Sequence, residues 1–355
     1  VIRLVSNHNA RLARLLELAS KDGYEGICST RSFNIYYLTG FWGNGIYVNN
    51  GSAERLYVSS LESDRARHDS KTNVITYRAG ELLDQLSEFF DGRKVACDDN
   101  LYMYLEPIFN KIKAKSTDIF ERARSVKFDD EISIMKEGGK VMDNVYENTL
   151  KILNDGISER DVYATLVGEI IRQGGDVIPY EDTIGTEIVA FGENTSYPHY
   201  SPPSERKLRS GDPVLMDITL RYKGYVIDFT RTVFYGRAED RMKEVYNIVK
   251  EAQALGIRTL KPEMNGRDLD STVREFFGSR KDLFNHSLGH GVGLEVHERP
   301  FVSPRSNDRL ERNSLITIEP GLYYDGEFGI RIEDSMVVDD PPYLLTNYPK
   351  ELIIV

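Results

Sequence analysis

The sequence predicts two domains in series: a small α/β domain over residues 1–124, then an α+β domain over 125–355 whose curved sheet is mainly antiparallel. Three observations carry this. The chain has 355 residues, about twice the usual size of one domain. Its first third alternates short apolar runs with helical stretches, as an α/β layer does. The remainder opens with two helices and then turns to strands, as in an α+β domain with helices on one side of its sheet.

Arg11 to Lys21 sets Leu12, Leu15, Leu16 and Ala19 at helical spacing, with Ser6 or Asn7 as the cap and Gly23 beyond the end. Short apolar runs between turn residues then read as strands: Gly26 to Ser29, Asn34 to Thr39, Ile46 to Asn49, Arg55 to Ser59, Val74 to Tyr77 and Lys94 to Cys97. Helices are expected among them at Leu61 to Ser70, Ala79 to Phe90 and Leu101 to Ala114. Asp129 and Asp130 suit a helix N-terminus, and Ile132, Met135, Met142, Val145, Leu150 and Leu153 continue that helix toward Gly156. Ser158 with Asp161 makes a capping-box start for a helix reaching Gln173. From about Thr183 strands dominate, at Glu187 to Phe191, Pro213 to Leu220, Tyr225 to Tyr235, Leu315 to Glu319 and Gly329 to Val338. Asp240 to Leu260 and Asp268 to Gly278 read as helices between them.

Composition excludes classes of function without selecting one. Lys and Arg number 45 against 56 Asp and Glu, a net charge of −11, whereas binding nucleic acid or an anionic membrane needs a net basic face. Only Cys28 and Cys97 are present, too few for a disulfide scaffold or a cysteine-based metal site, and a reducing cytoplasmic location is expected. Val1 to Leu18 lacks the apolar segment of a signal peptide. The uncharged stretch Ser32 to Ala53 is broken by four glycines and reads as strands and turns, not as a membrane span.

Three clusters carry chemistry. Asp217 and Asp228 lie in consecutive strand runs joined near Lys223-Gly224. A two-residue turn there would place Tyr222 opposite Tyr225 and Asp217 opposite Thr230, so both carboxylates would share one face. A three-residue loop would break that arrangement. Either residue alone reads as a solvated strand aspartate, but Val214, Leu215, Met216, Val226 and Ile227 flank them, and two like charges in a half-buried sheet call for a cation. The second cluster holds His286, His290 and His297, three of six histidines within twelve residues, interleaved with Gly289, Gly291 and Gly293. Imidazole ligates divalent metals and shuttles protons near neutral pH. The glycines and the spacing oppose a His-Glu-x-x-His zinc helix. The third cluster places Glu319 at a strand end before Pro320-Gly321, and Glu333 within Ile330-Arg331-Ile332-Glu333-Asp334. Two Asp, one His and two Glu on strands or their ends form an oxygen-rich set suited to two divalent ions.

These residues resemble, in order, the signature of the pita-bread metallopeptidases: Asp217, Asp228-Phe229-Thr230-Arg231-Thr232, Gly289-His290-Gly291 with His297-Glu298, Glu319-Pro320-Gly321, and Arg331-Ile332-Glu333-Asp334. Arg11 to Tyr57, with Asn34-Ile35-Tyr36-Tyr37-Leu38-Thr39-Gly40-Phe41, is similar to the creatinase-type N-terminal domain of the proline-directed branch. The resemblance implies a creatinase-like domain over 1–124 and a pita-bread catalytic domain over 125–355.

The resemblance further implies a site. Asp217 and Asp228 would bind one metal, and Asp228, His290, Glu319 and Glu333 the second, with Asp228 and Glu333 bridging. His199 and His297 would hold substrate or stabilise the tetrahedral intermediate, Glu319 would shuttle a proton, and Arg331 would orient carboxylates. His286 is divided between pocket lining and a structural role. Thr219 stands where the family commonly has glycine, which alters the neighbouring pocket. The implied activity is a prolidase, cleaving Xaa-Pro dipeptides with a hydroxide between two Mn²⁺ or Co²⁺ ions, Zn²⁺ and Fe²⁺ being the alternative metals. The implied substrate is a small peptide with proline at the second position, and the implied assembly is a homodimer. Aminopeptidase P, acting on longer Xaa-Pro peptides, and a non-catalytic pita-bread binding module are the rival readings.

Overall fold

The computed structural model describes residues 7–78, 80–98, 106–179 and 186–355. Ser6, Ala79, Thr183 and residues 101–105 of the expected fourth helical stretch lie outside the described residues. The chain divides into two compact units, with Arg124 ending the first and Ser125 opening the second.

The first unit is one six-stranded sheet with helices. Its strands are β1 (Gly26–Ser29), β2 (Ile46–Asn49), β3 (Glu54–Val58), β4 (Val74–Thr76), β5 (Val95–Cys97) and β6 (Lys115–Ser116), ordered β4-β3-β2-β1-β5-β6. All neighbours run parallel except β2, which is antiparallel to β1 and β3. The helices are α1 (His8–Lys21), α2 (Ser32–Thr39), α3 (Ser63–Asp69), α4 (Leu82–Phe90), α5 (Glu106–Lys111) and α6 (Ile119–Ser125). One expectation fails here: Asn34 to Thr39 is not a strand but most of α2. All six residues are buried. A short run buried on every side shows no period that separates helix from strand. The helix stops at Gly40, whose φ of 81° is left-handed and whose N–H returns to the Tyr36 carbonyl at 2.8 Å.

The second unit begins with α7 (Asp129–Leu150) and α8 (Glu159–Arg172), followed by β7 (Ile188–Phe191), β8 (Pro213–Tyr222) and β9 (Tyr225–Phe234). Next come α9 (Asp240–Thr259), β10 (Met264–Asn265), α10 (Gly266–Phe276), β11 (Gly289–Gly291), β12 (Glu298–Val302) and β13 (Arg309–Leu310). The chain ends with β14 (Leu315–Ile318), β15 (Gly321–Tyr324), β16 (Phe328–Arg331), β17 (Glu333–Val337) and β18 (Tyr343–Leu344). Strands β12-β11-β14-β17-β9-β8-β7 form one curved sheet in that order, with β18 added on β17, and every pair is antiparallel. The single strand expected over Gly329 to Val338 is broken at Ile332. Arg331 pairs with Gly321 in the separate β15–β16 hairpin, while Glu333 pairs with Thr230 on the main sheet. Continuous alternation in sequence does not reveal a change of partner.

Helices cover one face of the sheet. Val249 and Ala252 of α9 and Val273 of α10 share a core with Ile316 and Ile318 of β14 and Met336 of β17. Side chains alternate across a strand, so Thr317 and Glu319 point to the opposite face. Under α7, Gly138 and Gly139 let the helix reach the sheet and the C-terminal segment: a Cβ on Gly138 would stand 2.8 Å from Ile227 Cγ1, and one on Gly139 would overlap the Leu345 carbonyl. Gly139→Ala should therefore cost about 3 kcal/mol of stability, a backbone overlap having no flexible side chain to move aside. Urea unfolding checks this, and an unchanged midpoint would refute the close approach. Among the described residues no helix is long and apolar enough to cross a membrane.

Candidate active site

The site is built on the β8–β9 hairpin. Lys223 and Gly224 form its two-residue turn with φ of 51° and 90°, both positive as a type I′ turn requires. Tyr222 then faces Tyr225, Asp217 faces Thr230, and Thr219 faces Asp228, the expected register. Directly paired residues share a face, so Asp217, Thr219, Asp228 and Thr230 line one side of the sheet. On the far side of β9, Glu333 faces Thr230 and accepts a hydrogen bond from its hydroxyl at 2.6 Å. His290 enters from β11, its N–H donating to Thr317 Oγ1 at 3.1 Å, and Glu319 follows the end of β14. Strands β8, β9, β17 and β11, with the end of β14 between the last two, thus converge on a single cavity of about 440 Å³, which Asp217, Asp228, His290, Glu319 and Glu333 all line. His199, His286, His297 and Thr219 line it too.

The convergence is tightest for Asp228, His290 and Glu333, which each offer a ligand atom within 4.8 Å of the others. Asp217 and Glu319 stand outside that trio. Glu319 Oε1 is 3.4 Å from His290 Nε2, and Asp217 Oδ2 is held by Arg331 Nη2 at 2.6 Å. Arg331 also donates to Thr230 Oγ1 at 3.2 Å and to the Tyr323 hydroxyl at 2.7 Å. Tyr323 escaped the sequence reading, and Thr230 entered it only as the residue opposite Asp217, without its hydrogen bonds to Arg331 and Glu333. The available signal was their position two residues from Gly321 and Asp228, on the same strand face.

Protonation follows from this packing. Burial, then repulsion from Asp217 and Glu319, raises the Asp228 carboxyl well above its ordinary range. Burial, then Asp228 and Glu319, does the same to Glu333. Burial lifts Glu319 to about 8 against the pull of Arg331. Burial, then His297, holds His290 down to about 3, and burial, then Arg331, holds His286 down to about 3. Both imidazoles are therefore neutral at pH 7. His290 Nδ1 lies 3.1 Å from the Gly291 carbonyl, which only accepts, so Nδ1 carries the hydrogen. The Nε2 lone pair is left facing Asp228 Oδ2 at 3.7 Å and Glu319 Oε1 at 3.4 Å. By the same reasoning His286 donates from Nδ1 to the Ser287 carbonyl and accepts from the Tyr323 hydroxyl at Nε2. His286 is thereby joined through Tyr323 and Arg331 to Asp217.

These residues fit divalent cations. Buried carboxylates crowd without enough positive charge, a neutral imidazole presents its lone pair among them, and Glu333 Oε1 is buried with no hydrogen-bond partner. Thr219, buried, lines the cavity directly opposite Asp228, and its hydroxyl pairs with that of Thr186.

Comparison with known proteins agrees with this chemistry. The model of metallopeptidase family M24 matches residues 133–340, and that of the creatinase/prolidase N-terminal domain matches residues 11–126. The Xaa-Pro dipeptidase of Pyrococcus horikoshii is 31% identical over 356 residues, covering 97% of this chain and 99% of that one. Among solved structures, the Xaa-Pro dipeptidase from Bacillus anthracis superposes with a TM-score of 0.90 at 31% identity, over 98% of this chain and 100% of that one. The X-Pro aminopeptidase from Thermotoga maritima gives 0.87 at 28% identity, over 97% and 99%.

Proposed function

The chain belongs to metallopeptidase family M24, and on that premise we propose that it is a Xaa-Pro dipeptidase whose metal ligands are Asp217, Asp228, His290, Glu319 and Glu333. The observation that carries the reading is His290 Nε2, a neutral nitrogen with its lone pair aimed into a cluster of buried carboxylates. The family implies divalent metal ions. Four carboxylates with one imidazole suit Mn²⁺, since oxygen donors predominate, and family likeness adds Co²⁺. What such ions supply when bound is Lewis acidity, toward a peptide carbonyl and toward water.

The chain's own residues do the rest. Glu319 lines the cavity with Oε1 3.4 Å from His290 Nε2, where a carboxylate can accept a proton and pass it to a leaving amine. His297, held neutral by burial and by His199, is a hydrogen-bond donor beside a carbonyl, and its ring lies 4.3 Å from that of His290. His199 lines the same wall next to Pro198. Arg331 fixes Asp217 through one nitrogen of its fork and Tyr323 through another, so the carboxylate is oriented and its charge balanced. A homodimer in a reducing cytoplasm completes the proposal, supported by family likeness and by two buried free cysteines.

The test is hydrolysis of Ala-Pro and of a longer Ala-Pro-Xaa peptide after dialysis against chelator and after return of Mn²⁺ or Co²⁺. Activity should vanish, then return, with the dipeptide the better substrate. Full activity without metal would sink the metal assignment, and preference for the longer peptide would make the chain an aminopeptidase P.

A further inference from the structure

We propose that Lys127, through a buried ion pair with Glu298, is a positioning residue that fixes His297 in the cavity; this rests on the reading of His297 as a substrate-facing group. Lys127 Nζ lies 2.8 Å from Glu298 Oε1, and both side chains are 1% exposed although 171 positions apart. Lys127 precedes the segment that matches the peptidase family model, which starts at residue 133.

Glu298 directly follows His297 and opens β12. Its second carboxylate oxygen accepts from the Glu295 N–H at 3.4 Å, so one carboxylate joins Lys127 to the loop that carries His297. The loop is seated on it: a Cβ on Gly293 would overlap the Glu298 carboxylate. The earlier half of the same loop is tied to the β8–β9 hairpin, Val226 N donating to the Gly293 carbonyl at 2.7 Å and Arg221 Nη1 to the Leu294 carbonyl at 2.8 Å. Its later half, ending in His297, is anchored by Glu298. The lysine is itself fixed. Its N–H donates to the Asn313 carbonyl at 3.0 Å, and α7 starts two residues on, where Glu131 accepts from Phe128 N at 2.7 Å and from the Tyr225 hydroxyl at 2.6 Å.

For stability alone, apolar residues of similar volume do as well as a buried pair, because the desolvation of two charges offsets their attraction. A directional N–H···O contact does something apolar packing does not: it sets the heading of the residue beside it. A misplacement near 1 Å in a reacting constellation costs about 10²-fold in rate.

The metal-loaded full chain is compared with Lys127→Met, Glu298→Met and the two together, each with and without His297→Ala. The single changes should lower the melting temperature, because each leaves a buried group unpaired, and the double variant should recover it. In that stable double variant kcat on Ala-Pro should remain about 10²-fold low, with KM within about threefold of the parent. In the His297→Ala background the double change should have no further effect on kcat, since both act through one ring. Histidine-selective ¹⁵N spectra supply a readout that needs no substrate: the His297 ring signals should move in the double variant, while those of His8 and His68 stay. Recovery of kcat together with stability, multiplicative losses in the His297→Ala background, or an unmoved His297 ring would each overturn the proposal. A parent chain inactive on every Xaa-Pro peptide would sink the proposed activity instead, and the ring spectra would still decide the positioning.

Discussion

Asp228→Ala should abolish Xaa-Pro hydrolysis, with a fall in kcat/KM beyond the roughly 10–100-fold typical of residues one layer behind a metal ligand. The residue has no substitute in the cavity. One of its oxygens accepts from the Phe229 N–H at 3.0 Å, while the other faces His290 at 3.7 Å. Its backbone is locked from both sides, Ser335 Oγ accepting from the Asp228 N–H at 3.1 Å and donating to the Asp228 carbonyl at 2.8 Å. The carboxylate therefore cannot be replaced by a neighbour sliding along the strand. The same change should leave the fold intact. Burial and two neighbouring carboxylates disfavour its charge, so its loss relieves repulsion in metal-free protein. In chelator the variant should melt no lower than the parent at pH 7, while metal content measured after reconstitution falls. Near-normal turnover would refute the ligand assignment, and a collapsed melting temperature would refute the account of repulsion.

That Asp217 and Asp228 share a face was legible before any coordinates because strand parity is a local property. Lys223-Gly224 admits a two-residue turn, the turn sets the pairing of Tyr222 with Tyr225, and the rest of the ladder follows with period two. The overall division into an α/β layer and a curved antiparallel sheet was legible for a similar reason, since alternation and helical periodicity are written within windows of a few residues. What escaped depends on burial or on distant partners. The helix Ser32–Thr39 looked like a strand because buried residues on all sides erase amphipathic contrast. The break at Ile332 was hidden because Arg331 and Glu333 pair with different strands, 10 and 103 positions away. Arg331 was legible as a partner of carboxylates. Its choice of Asp217, 114 positions earlier, together with Tyr323 and Thr230, needed the folded sheet. The Lys127–Glu298 pair is the extreme case, since nothing within reach of either residue in sequence marks the other.

In chelator, the melting temperature of the full chain should fall as pH rises from 6.5 to 8, and added Mn²⁺ should both raise it and flatten the fall. The sign follows from which state binds more protons. Glu319 has its pKa raised from 4.5 to about 8, and Asp228 and Glu333 are also raised, burial being the first cause in each case. Between the unfolded and folded values the native state keeps a proton that the unfolded chain has released, so stability declines with pH across that window. The histidines act in the opposite sense below it. His290 and His286 are depressed from 6.5 to about 3, so the unfolded chain binds more protons below 6.5 and stability climbs with pH through that value. Asp334 is held low against the cost of burial by Arg231 and Lys350, so its contribution is lost only on the acid side of its ordinary 3.8. The unfolded histidines are half deprotonated at pH 6.5 and their opposing effect fades by about pH 7.5, while the three raised carboxyls outweigh it, joined by Glu187, lifted by burial to about 7, and by His8, raised by Glu54. One titrating carboxyl contributes at most about 1.4 kcal/mol per pH unit, or roughly 3–6 °C per unit for a domain of this size. A bound cation compensates the carboxylates and removes the reason for them to hold protons, so the slope should flatten with metal present. A melting temperature flat from pH 6.5 to 8 in chelator would show that the carboxylates ionise there without penalty, and an unchanged profile on adding Mn²⁺ would show that no cation is bound among them.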